Sequence, residues 1–204
     1  MIKHSAGLIS SAGVVSVKEK VKQVVTEAFS EHDDIIMVKV ILNFPDKRVY
    51  FKGGDDAIDR FIRIAKERIP AYVSTRKTEG CSISDTTIHY LWKKKSDSGH
   101  TSYTVLLLLN YDTLSYPGAF TLDEGRFLLM LTHCWRSALG MDGAHHNFLA
   151  HLTPMMTSLL ESTVCENEQV ELLRQILLSK PSVDGSNPYE QDCQSTGVFG
   201  WGCA

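Results

Sequence analysis

Two short runs decide what this chain can become. In DIIMVKVILN, residues 34–43, Ile36, Val38, Val40 and Leu42 alternate with Ile35, Met37 and Ile41. In SYTVLLLLNYD, residues 102–112, Val105, Leu107 and Leu109 alternate with Leu106 and Leu108. A strand sends successive side chains to opposite faces, so each run is apolar on both. Such a strand holds only inside a sheet that is covered on both sides. The chain must therefore wrap helices around a central sheet.

The remaining segments supply both kinds of element. Ser16 and Glu19 form a capping box, in which hydroxyl and carboxylate satisfy the first free amides of a helix over residues 17–31. The sequence RVYF, after the turn residues PDK, predicts a strand forming a hairpin with residues 34–43. The two glycines and two aspartates of GGDD make a tight turn into a second helix, with Ile58, Phe61, Ile62, Ala65 and Ile69 as its stripe. Pro70 is expected to stop that helix, leaving AYVST as a short strand. TIHYLWKKK and the run at 102–112 form two more strands around SDSGH. Boxes at Thr121–Glu124 and Thr163–Glu166 predict two further helices, and DGAHHNFLAHL a short one between them.

The expected fold is α+β: a mostly antiparallel sheet of 4–5 strands with helices on both faces, in the order α-β-β-α-(β)-β-β-α. A C-terminal helical segment and an irregular tail follow. Residues 1–140 form the core, 141–180 a helical segment packed on it, and 181–204 a Gly/Ser/Pro-rich tail. Phe199 and Trp201 are the tail's apolar anchors. No apolar run is long enough to span a bilayer, and the N-terminal stretch is too weakly apolar for a signal peptide. Five cysteines at wide spacing, with no CxxC pair, suit free thiols in a reducing compartment. The expectation is a cytoplasmic protein, or one of a virion or host cytoplasm if virus-encoded.

The net charge of −3 hides a division. Residues 1–95 carry 17 Lys/Arg against 12 Asp/Glu, whereas residues 96–204 carry 4 against 12. Opposite halves of one chain can meet different partners.

No reactive motif stands out. The stretch HCWRSALGMDGAHHNFLAH, residues 133–151, holds four of the chain's eight histidines. Its adjacent pairs diverge by about 100° on a helix, and HExxH is absent. His133, His146 and Cys165 remain the candidate metal ligands, but no ion or other cofactor is expected. Cys81, His100 and Asp112 stand in an order suited to a thiol hydrolase, the class that needs a cysteine activated by a histidine. No helix dipole at Cys81 would depress its pKa. KGGDDA lacks the spacing of a phosphate loop, and its aspartates repel phosphate. Arg60, Arg63 and Lys66, together with Lys93, Lys94 and Lys95 beside Tyr90 and Trp92, form a candidate anion or nucleic-acid surface.

These features favour a non-enzymatic protein that acts by self-association or within a larger assembly, using Phe199 and Trp201. Binding of RNA or an anionic membrane through the basic half is the second expectation, and a Cys/His thiol hydrolase the third.

Overall fold

The computed structural model describes residues 16–45, 54, 56–97, 100–116, 119–122, 124–141, 156–161, 164–178 and 198–203. Its centre is the pair of strands that the sequence demands, β1 (Asp34–Asn43) and β3 (His100–Asn110). They pair antiparallel with Ile35 opposite Asn110 and Asn43 opposite Ser102. β2 (His89–Asp97) joins the other side of β3. Two strands complete the sheet: β6 (Met156–Glu161) beside β1, and β7 (Val198–Cys203) beside β2. The order is β6-β1-β3-β2-β7, antiparallel at every step. β4 (Ser115–Tyr116) and β5 (Ala119–Leu122) form a separate two-stranded ladder.

Helices cover both faces, so the architecture is α+β. On one face, α2 (Ala57–Thr78) and α3 (Glu124–Ala138) bury Val38, Val40, Val105 and Leu107 under Phe61, Phe127 and Trp135. On the other, α1 (Val17–Glu31) and α4 (Glu166–Leu178) cover Ile35, Met37, Leu106 and Leu108 with Val21, Val25 and Leu173. The two alternating sets of each central strand thus feed two separate cores.

α1 starts as its sequence demands. The Ser16 hydroxyl accepts from the Lys18 amide at 3.1 Å, and Glu19 accepts from the Ser16 amide at 2.9 Å. α2 departs from expectation. It runs through Pro70, and AYVST is its continuation rather than a strand. An interior proline costs about 3 kcal/mol by removing one helical bond and crowding the preceding turn. Pro70 is exposed, while Ile69, Tyr72, Val73 and Arg76 behind it are buried. Water reaches the interrupted side, and core burial offsets the cost. Gly80, just past the C-cap Glu79, has a φ of +89°, the left-handed conformation a closing glycine adopts. There the Cys81 amide donates to the Arg76 carbonyl at 3.0 Å.

The capping box expected at Thr121 is displaced. Thr121 belongs to β5, and α3 begins at Glu124. α4 begins at Glu166, whose carboxylate accepts from the Thr26 hydroxyl of α1 at 2.7 Å; Thr163 lies outside the described residues. Residues 156–161, expected to be helical, form β6. MTSLLE is too short for a stable helix, and the free edge of β1 offers it a ladder. The end of the tail is likewise a strand, so the sheet draws on all three segments of the chain. The strand expected at RVYF and the short helix expected over 145–151 lie outside the described residues.

Candidate functional site

The basic candidates separate onto different surfaces. The register places Lys93 opposite Thr104, which in turn faces Ile41, and Lys95 opposite Ser102, which faces Asn43. One row along the same face, Leu91 and Leu106 lead to Lys39 on β1. Lys39, Lys93 and Lys95 therefore share one face of the sheet, the face on which α1 and α4 pack. From strand geometry, the Lys93 and Lys95 backbones are about 7 Å apart, and Lys39 lies about 12 Å from Lys93. All three side chains are half-buried. Burial draws the Lys39 ammonium below the ordinary lysine value. Burial, and then the positive charge of Lys95, do the same to Lys93.

Lys94 lies on the opposite face, level with Tyr103 and Leu42. Lys66 is on that side as well, with its Nζ 5.2 Å from the centre of the Tyr90 ring. Arg60 serves the fold. It donates to the Ala138 carbonyl at 2.7 Å, tying α2 to α3, and pairs with Asp56. Arg63 is exposed on the outer side of α2. The six basic residues singled out in the sequence thus do not form one surface. Only Lys93 and Lys95 stay together, and Lys39 joins them. Lys39 was missed although its signal was present: it is the one charge inside the apolar run IIMVKVIL.

The thiol candidates do not assemble. Cys81 is buried beside Arg76, whose Nη2 lies 3.9 Å from the sulfur and whose Nη1 donates to the Thr113 carbonyl at 2.7 Å. Asp112 is therefore near the same end of the sheet. His100 starts β3 at the far end, ten residues from Asn110, or about 34 Å along the strand. The proposed metal ligands are also apart. His133 lies on α3, outside one face of the sheet, and Cys165 immediately precedes α4 on the other. His146 lies outside the described residues. Among the described residues, no group of three or more His, Cys, Asp or Glu is placed to hold a metal ion.

Two further features escaped sequence reasoning. A groove of about 440 Å³ between α2 and α3 is lined by Arg68, Tyr72, Arg126, Leu129 and His133, among others. Arg126 there makes a bidentate pair with Glu79 at 2.8 and 3.0 Å. At the end of the sheet near the α1 terminus, fully buried His89 lies 3.4 Å from the Glu31 carboxylate. His32 beside it accepts from the Thr87 amide at 3.2 Å. Hydrogen bonding from Thr87 and the nearby His89 hold the Glu31 carboxyl below its ordinary value, and burial lowers His32.

The sequence also carries a family signature. A family model, the YagK/YfjJ C-terminal domain, matches residues 2–184. The chain belongs to that family. The uncharacterized protein YfjJ of Escherichia coli (strain K12) is 24% identical to it over 134 residues, which are 61% of this chain and 64% of that protein. The chain thus spans just under two thirds of the length of this curated relative. No solved structure matches it. The match ends before β7, so the strand at 198–203 lies beyond the family model.

Proposed function

We propose that this chain binds a nucleic acid, RNA or single-stranded DNA, by its phosphodiester backbone, through Lys39, Lys93 and Lys95. The observation that carries this reading is the grouping of three half-buried lysines on one sheet face, with two ammonium groups held below their ordinary values. Gathering like charges where water is partly excluded costs stability. A polyanion laid across the face would offset the repulsion between Lys93 and Lys95, and sites of this kind are where shifted pKa values collect. Phosphates neutralised by lysine release counterions, so binding should weaken with salt by about 0.7 log units per log unit of salt for each single-strand contact.

The test is fluorescence anisotropy with a labelled 20-nucleotide RNA and the same sequence as DNA, titrated at several salt concentrations. Lys39→Gln/Lys93→Gln/Lys95→Gln should weaken binding at least tenfold and flatten the salt slope by about 2. Lys66→Gln/Lys94→Gln, on the opposite face, should keep both. Equal losses in the two variants would overturn the assignment of the face. Binding to phosphatidylserine vesicles but to neither oligonucleotide would replace the reading with one of membrane attachment.

A further inference from the structure

β7 closes one side of the sheet, and among the described residues no strand pairs with its outer edge. An edge strand exposes a row of amides and carbonyls that will accept another strand. Proteins that must stay apart guard such edges with charge, proline, a bulge or extreme shortness. β7 has none of these: it is VFGWGC, six residues without a charge or a proline, and its ladder to β2 runs without a break. The opposite edge, β6, ends in Glu161.

We infer that β7 is a self-association edge, whose occupant is β7 of a second copy, running antiparallel. The choice of occupant follows from symmetry and charge. A two-fold interface brings the same strand to itself, so a charge near the axis would meet its own copy. Like charges opposite one another on neighbouring strands destabilise the ladder. An uncharged strand escapes this penalty in every antiparallel register. The flanking strand is different: β2 carries Lys93, Lys94 and Lys95, and would repel its own copy if it were the edge. Pairing of two β7 strands would make one ten-stranded sheet. The local two-fold axis of an antiparallel ladder stands perpendicular to the sheet, so both lysine-bearing faces would open to the same side. The inference does not depend on the nucleic-acid reading, because it concerns the chain alone.

The register supplies a selective test. Within one chain Val198 faces Lys94 and Phe199 faces Lys93. In Val198→Glu/Phe199→Glu, each new carboxylate lies opposite a lysine of its own chain, which favours the fold. Between two copies the same change sets four glutamates along one ladder. Sedimentation velocity of the full chain at 100 μM, without nucleic acid, should show a dimer, and the double variant a monomer with an unchanged circular dichroism spectrum. A second measurement does not rely on the variant folding: amide exchange within residues 198–203 of the native chain should slow as protein concentration rises from 1 to 100 μM. A native chain that is monomeric at 100 μM overturns the inference. So does a folded double variant that remains dimeric, or exchange in β7 that ignores concentration.

Discussion

Trp135 offers the sharpest test of how α3 is fixed to the sheet. Its side chain is fully buried, and the indole N–H donates to the Asn43 carbonyl, at the end of β1, at 2.8 Å. Three aromatic rings surround it edge-on: Phe44 at 5.3 Å, Phe61 at 6.0 Å and Tyr103 at 6.3 Å between centroids. Trp135→Phe keeps an aromatic ring but removes the donor. The hydrogen bond contributes about 1 kcal/mol net, and withdrawing a buried donor from its acceptor raises the loss to about 1–3 kcal/mol. Trp135→Ala also removes the ring contacts and opens a cavity, for a total of about 3–5 kcal/mol. In a chain of this size 1 kcal/mol moves the midpoint by roughly 2–4 °C. The phenylalanine variant should therefore melt about 2–12 °C lower and the alanine variant about 6–20 °C lower. Circular dichroism at 222 nm follows both without relying on the missing fluorophore, and urea titration gives the free energies. A Trp135→Phe loss below about 0.5 kcal/mol would refute the claim that the indole N–H latches α3 to β1. A double-mutant cycle with Phe44→Leu should give a coupling of about 0.5–1.5 kcal/mol if the edge-on packing matters.

Two further outcomes follow from the cysteines and from Glu31. Burial pushes the Cys134 thiol up to about 11, whereas Cys165 is exposed, so iodoacetamide at pH 7.5 should label Cys165 in the folded chain and Cys134 only after unfolding, as peptide mass mapping would reveal. Thr87 and His89 lower the Glu31 pKa in the folded state, so its contribution is complete above the ordinary glutamate value and is lost as pH falls through the lowered one. The stability gap between the native chain and Glu31→Gln should thus be widest near neutrality and close in acid; a gap that widens on acidification in urea titrations at stepped pH would contradict the assignment.

The parts of this fold legible in the sequence were those where one signal acted alone. The alternation in 34–43 and 102–112 demanded two-sided burial, and the structure pairs those strands at the centre of the sheet. Ser16 and Glu19 marked a helix start because both caps are local. Where a tertiary partner competed, local rules lost. Pro70 was overruled by the buried residues that follow it, and Thr121, expected to cap a helix, was drawn into β5. β6 could not be read at all, because MTSLLE becomes a strand only where β1 offers an edge. The lysine face was half legible. KKK announced Lys93 and Lys95, but alternation sends Lys94 to the other side, and Lys39 becomes their neighbour only through the pairing of β1 with β3.

The order of the strands also bears on the growing chain at the ribosome. The three inner strands, β1, β3 and β2, are complete once residue 110 has been made, whereas β7 is the last of the described strands to be synthesised. Throughout that interval β2 is itself an edge. Its lysine triplet then guards that edge, because the charges of one β2 oppose those of another until β7 is made. Sealing exchanges a charged edge for an uncharged one.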